Sequence, residues 1–156
     1  MSMEVYVLSD KQLTSVSQWQ SAIDAEGFGL HLPSSLSLVG LDGVIPCQLG
    51  DTRTGFECNN LNFNDFKEET SHRGLSQTWT NVLVLRWGAD PYASAAAYMA
   101  AAAYAQATGG SVFDGEEGKL LSTDRAMEVA REVEAAIPAM IDMVDHMLQK
   151  MKSDSK

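Results

Sequence analysis

The stretch that decides the fold is TNVLVLRWGADPYASAAAYMAAAAYAQATGGSVFDGEEGKLL, residues 80–121. Its uninterrupted apolar segment, Val82–Leu85, predicts a buried strand. Asp90-Pro91 predicts the start of a helix, because aspartate is a good N-cap and proline suits the first helical position. The alanine-rich sequence that follows predicts a helix that can lie close to a sheet, and Gly109-Gly110 predicts its end. Val112-Phe113 predicts a second, short strand.

This unit is compatible with a crossover between parallel strands or with a helix lying across an antiparallel sheet. Upstream of it, Val5–Leu8 predicts a strand buried on both faces. The Ser9 and Gln12 pair has the spacing of a capping box and predicts a helix from Ser9 to a stop at Gly27.

Residues 28–60 predict two or three short strands. Asp42-Gly43 is typical of a hairpin turn, and residues 50–55 are typical of a loop. Pro46 indicates that the strand over 44–49 lies at an edge or a bulge, because proline cannot donate to the ladder.

A sustained apolar stripe follows the cap at residues 122–124 and predicts a last helix that Pro138 kinks or restarts.

Together these patterns predict an α+β fold in a single domain over residues 1–152. We expect a mostly antiparallel sheet of about five to six strands, with three helices mainly on one face. Residues 153–156 are expected to fray. The chain shows no internal repeat and no low-complexity linker.

The charge and the cysteine content exclude several classes of function. A formal net charge of -10 is repelled by nucleic acid and by anionic membranes, so we expect neither as a partner.

The opening MSMEVYVLSD lacks the basic start of a signal peptide, and no apolar run reaches the length of a membrane span. Two cysteines without a secretion signal predict reduced thiols and a cytoplasmic location. The acidic groups either solubilise the surface or form a face that docks on a basic protein.

No pattern predicts a catalytic, metal or cofactor site. The three histidines are scattered, and neither CxxC nor a phosphate-binding glycine loop occurs. Cys47 and Cys58 read as buried, inert thiols rather than nucleophiles. Asp114–Gly118 has the composition of a calcium loop without its ligand spacing, and predicts a tight turn.

Three short segments carry a resemblance to a family. They are Gly43–Pro46, Thr54–Glu57 and Ala107–Asp114. With them the chain resembles small uncharacterised bacterial proteins that act as immunity partners of polymorphic toxins. The resemblance implies a compact acidic binding protein without a catalytic site to carry over. The negative charge makes a basic toxin the partner that this hypothesis predicts.

The most polar and loop-rich part of the chain, residues 59–79, is where we expect a short helix or ordered loop and a functional surface. One hypothesis makes it a partner surface that blocks the cleft of a toxin. The alternative is a small-molecule pocket, or an atypical enzyme, in the region of residues 53–87. The candidate surface residues for these two hypotheses are Arg53, Glu57, Asp65, Glu68, Glu69, His72, Trp79 and Trp87.

The methionines of the last helix have two interpretations. Met140, Met143, Met147 and Met151 either fill the core, as the adaptable side chain of methionine often does, or leave an apolar strip exposed. The second interpretation predicts a homodimer through the C-terminal helix.

Overall fold

A computed structural model describes residues 3–70, 75 and 77–154. Within these residues the chain forms seven strands and five helices. In chain order they are β1 Met3–Ser9, α1 Val16–Ala25, β2 Leu30–His31, β3 Asp42–Leu49, β4 Thr52–Leu61, α2 Phe63–Thr70, β5 Asn81–Trp87, α3 Pro91–Thr108, β6 Ser111–Asp114, β7 Lys119–Leu121, α4 Thr123–Ala135 and α5 Ile137–Asp154.

The strands form one antiparallel sheet in the order β2-β3-β4-β5-β1-β6-β7. The α+β class is therefore confirmed, while the expected five to six strands and three helices were too few. Residues 28–60 hold three strands, the upper end of the expectation, and β2 is only two residues long. The strand that was missed is β7, whose three residues are too few to show an alternating pattern. The other helices come from the polar segment 63–70 and from a break at Ala136, just before Pro138.

Helix α3 is the centre of the molecule, and its predicted caps are confirmed. The Asp90 carboxylate accepts a hydrogen bond from the Tyr92 N–H at 3.0 Å, and Gly109 ends the helix with φ +70°. Every residue from Ala93 to Ala105 is buried. One side of α3 lies on the sheet, and α1 and α4 cover it elsewhere. A helix that is enclosed in this way is apolar all round. Its aromatic side chains therefore pack in different directions: Tyr98 contacts Trp87 of the sheet, and Tyr104 contacts Trp19 of α1.

The two faces of the sheet carry separate apolar clusters. Side chains such as Val5 and Leu85 point toward α1, α3 and α4. Tyr6 and Val84 point to the opposite face, where α2 and Trp79 cover them. The expectation that helices lie mainly on one face therefore holds for α1, α3 and α4 but not for α2. Because α2 is only eight residues long, it covers only part of its face.

Three local predictions were wrong in detail. Helix α1 begins after Ser15, where Ser15 and Gln18 form the capping box, while Ser9 belongs to β1 and its hydroxyl donates to the Lys11 carbonyl at 2.7 Å. Asp42 and Gly43 open β3 instead of a turn. The turn lies at residues 50–51, so most of the expected loop over 50–55 belongs to β4.

None of the described helices combines the length and apolar character that crossing a lipid bilayer requires.

Candidate functional site

A row of charged side chains crosses three neighbouring strands on the α2 face of the sheet. Arg86 on β5 lies directly opposite Glu57 on β4 and opposite Glu4 on β1. Alternation along each strand places all three on the face away from α3. The chain after β6 adds Glu116, whose carboxylate accepts a hydrogen bond from the Glu4 backbone N–H at 3.2 Å.

Helix α2 brings a fourth carboxylate to this row. Glu69 lies in its last turn and contacts Nη2 of Arg86 at 3.2 Å, while Glu4 contacts Nε of Arg86 at 3.3 Å. Asn59 accepts a further hydrogen bond from Nη1 at 3.3 Å. We call Glu4, Glu57, Glu69 and Glu116 together with Arg86 the Arg86 cluster.

Two groups here, Arg86 and the neighbouring Tyr6, are protonated at neutral pH even in an ordinary environment, and their surroundings raise the pKa of each further. Burial raises the pKa of the Tyr6 phenol, and its hydrogen bond to Glu4 and the charges of Glu4 and Glu69 raise it further. Partial burial works to lower the pKa of the Arg86 guanidinium, but its attraction to Glu4 and Glu69 outweighs burial and the pKa is raised. At neutral pH both groups therefore donate hydrogen bonds and hold charge in place, and neither can accept a proton.

Two shallow clefts flank the cluster. One, of about 240 Å³, lies between β4 and β5 and is bordered by Val44, Glu57, Arg86 and Trp87. The other, of about 290 Å³, is bordered by Tyr6, Glu69 and Glu116. Both volumes lie just below the roughly 300–1,000 Å³ typical of small-molecule sites. The cluster is therefore a charged, weakly concave surface.

The structure brings only part of the predicted surface together. Glu57 and Glu69 belong to the Arg86 cluster, and Glu68 is exposed one residue before Glu69 on α2. Arg53 lies at the far end of β4, where it borders a separate cleft of about 360 Å³ with His31. That cleft leaves Arg53 outside the Arg86 cluster.

Asp65 and the two tryptophans have structural roles. The backbone N–H of Asp65 donates to the Asn62 side chain, whose amide donates back to the Asp65 carboxylate, both at 2.8 Å, so the pair caps α2. Trp79 is buried beside Phe63 on the α2 face. Trp87 is buried on the α3 side of the sheet, although it borders the 240 Å³ cleft. His72 lies outside the described residues.

Sequence reasoning missed Glu4, Tyr6 and Glu116 as site residues, and it assigned Arg86 to a strand end. The signal that could have found Glu4 and Arg86 is the alternation of side chains along a strand, which places Glu4 on the same face as Tyr6 and Arg86 on the same face as Val84. The apolar centres of β1 and β5 are continuous and show no alternation, so the partly exposed ends at Glu4 and Arg86 were not recognised as belonging to one face. The pairing of β4 with β5 and of β5 with β1, which creates the row, depends on strand order.

The two cysteines are separated within the sheet. Cys47 on β3 lies opposite Thr54 on β4, and Thr54 precedes Cys58 by four residues on that strand. Four residues of a strand span roughly 13 Å, so the two cysteines are about that far apart. That distance is too long for a disulfide. Both thiols are free and buried, and the described residues contain no group of three metal-ligating side chains.

Burial, with a smaller contribution from the Asp90 charge, raises the pKa of the Cys47 thiol to about 11. An unfolded thiol loses its proton near pH 8.5. Between these values the unfolded chain binds fewer protons than the native one, so the free energy of unfolding must fall as pH rises. We expect urea unfolding midpoints to decrease from pH 8.5 to pH 11, and the Cys47→Ala variant to lose part of that decrease. An identical pH dependence in both proteins would contradict the assignment.

Comparisons with protein-family models, with curated proteins and with solved structures found no match for this chain.

Proposed function

We propose that this chain is a non-enzymatic binding protein that engages a basic protein partner through the Arg86 cluster. The observation that supports the proposal is the row of carboxylates across β4, β5, β1 and the β6 end, with Glu69 of α2 added to it. In the role of an immunity protein, this surface would occupy the active cleft of a basic toxin.

The charge balance of the cluster favours a cationic partner. The cluster contains four carboxylates and one guanidinium, and two of the carboxylates, those of Glu4 and Glu69, contact it. Glu57 and Glu116 are exposed and offer further negative charge to a partner. Charges fixed on strands need little reordering on binding, and like-signed carboxylates in one place steer an oppositely charged protein.

An apolar side chain next to the cluster adds a contact of another kind. Val44 is 66% exposed on β3, opposite Glu57, and borders the same cleft. Interfaces commonly combine an apolar centre with a charged rim. Val44 with Glu57 and Arg86 provides both within one small area.

We test the proposal with the Glu57→Lys and Glu116→Lys double variant. The wild-type protein is expected to retain a basic protein, from cell lysate or from co-expression with the products of neighbouring genes, and the double variant to bind it at least about tenfold more weakly. The apparent Kd should rise with salt concentration because exposed charges are screened. Surface plasmon resonance at several ionic strengths measures both effects.

The matched control is Glu134→Lys, which makes the same charge change on an exposed residue of α4, on the other side of the sheet. It should bind like the wild type, apart from a small effect of net charge. A partner that the double variant retains, or whose affinity does not change with salt, would contradict the role of the Arg86 cluster.

The cleft bordered by Glu57, Arg86 and Trp87 favours small-molecule binding as a second candidate function. Its volume of about 240 Å³ accommodates only a small ligand. A metabolite screen by thermal shift would support this function if a compound raised the Tm of the wild type and not that of Arg86→Gln. A screen without such a compound leaves the protein-binding proposal as the better one.

A further inference from the structure

Helix α5 leaves the body of the protein soon after it begins. Ile137 is buried and Ile141 is half-buried, whereas every residue from 142 to 154 is exposed. At 1.5 Å per residue this exposed portion, residues 142–154, is about 20 Å long. An isolated helix of this length is marginal in water, because helices of fewer than about 12–15 residues lack enough cooperative stabilisation. Packing against another element would stabilise it.

The exposed portion carries a continuous apolar stripe. The stripe begins at Ile137 and Ile141 and continues through Val144, Leu148 and Met151. Its residues are separated alternately by four and three positions, which is the repeat found where two helices pack side by side. Met147 widens the stripe. Leu148 is 52%, Met147 59% and Met151 65% exposed, and neither the sheet nor another described helix covers them.

The charges of α5 indicate which element covers this stripe. Asp145 and Lys152 each follow a stripe residue, Val144 and Met151, and flank the stripe on one side, one in the first half of the helix and one in the second. Asp142 and Lys150 lie on the far side of the helix, and Asp154 lies at its end. In an antiparallel copy of the same helix, Asp145 of one lies beside Lys152 of the other, and this pairing occurs twice. The helix dipoles also oppose each other in that arrangement. A parallel copy would place like charges together.

We propose that α5 packs antiparallel against α5 of a second copy of this chain, forming a two-fold dimer through the stripe of Val144, Met147, Leu148 and Met151. Such an interface is self-complementary, as a two-fold contact requires. The proposal does not depend on the function of the Arg86 cluster, which lies on the α2 face of the sheet.

The first test measures mass against protein concentration by sedimentation equilibrium. The purified wild type is expected to form dimers, and Leu148→Glu to raise the dimer Kd at least about tenfold, since it places a charge in the stripe. The matched control is Gln149→Glu, which adds the same charge to the next residue, away from the stripe, and should dimerise like the wild type. Circular dichroism of each variant confirms that the fold is retained.

The second test addresses orientation. Asp145→Lys alone and Lys152→Asp alone should each weaken the dimer, while the double variant restores its affinity, because the exchanged charges meet again across an antiparallel pair. Additive losses in the double variant would overturn the antiparallel arrangement. A wild type that stays monomeric at every concentration, as it would if a different protein covered the stripe, would overturn the proposal, as would a dimer that Leu148→Glu leaves intact.

Discussion

The Gly110→Ala variant is expected to lose about 3 kcal/mol of its free energy of unfolding, because overpacking against rigid backbone has this order of cost. A Cβ at this position would lie 2.4 Å from the Leu8 carbonyl oxygen and 2.9 Å from the Ser9 Cβ. The Leu8 carbonyl belongs to β1, which is paired on both sides with β5 and β6. Strand β1 therefore cannot move aside without disturbing two ladders.

Urea unfolding of Gly110→Ala beside Gly88→Ala measures this effect. A Cβ at Gly88 would meet nothing within 4 Å, so its substitution should change the free energy of unfolding by only a few tenths of a kcal/mol. Equal unfolding midpoints for the two variants would show that β1 and the end of α3 are not in the close contact described.

The Trp19→Ala variant is expected to lose about 3–5 kcal/mol, the usual cost of removing a buried aromatic side chain. Trp19 is fully buried, and its ring packs edge-on against Tyr104 with centroids 5.3 Å apart. Its indole N–H donates to the Ala100 carbonyl at 2.9 Å. One side chain therefore holds α1 on α3, and thermal or urea unfolding should show the loss directly.

A pair of phenylalanine variants separates the hydrogen bond from the volume. Trp19→Phe removes the hydrogen bond that the indole donates to the Ala100 carbonyl. Trp87→Phe instead removes a buried indole N–H that has no hydrogen-bond partner among the described residues. Leaving such a donor unpaired is itself costly. We expect Trp19→Phe to be the more destabilising of the two by about 1 kcal/mol. The reverse order would contradict the stabilising role of the hydrogen bond from Trp19 to Ala100.

Local signals predicted the centre of the fold well. Asp90, Pro91 and Gly109 act on the backbone of their immediate neighbours, so the ends of α3 could be read from the sequence alone. Capping pairs are less specific, since Ser9 with Gln12 and Ser15 with Gln18 have the same spacing. Ser9 cannot begin the helix because it belongs to β1, where it pairs with Asn81 of β5. Pairing with a distant strand leaves no local sequence signal.

The candidate site depends on the same long-range information. Glu57, Arg86 and Glu4 are separated by long stretches of chain and meet because β5 lies between β4 and β1. No spacing rule joins them. The predictions that used local polarity identified Glu57 and Glu69, but they also selected Trp79 and Trp87, whose rings the two faces of the sheet bury.

Pro46 has a consequence for how the molecule avoids aggregation. The two-residue strand β2 pairs with Gln48 and Leu49, and no other part of the chain that the structure describes pairs with the outer side of β3. Such edges are templates for the addition of further strands. Proline presents no N–H to an incoming strand, and at the other edge β7 is short and begins with Lys119. Both ends of the sheet thus resist edge-to-edge polymerisation, so copies of this chain can meet at high concentration without forming a continuous cross-β ladder.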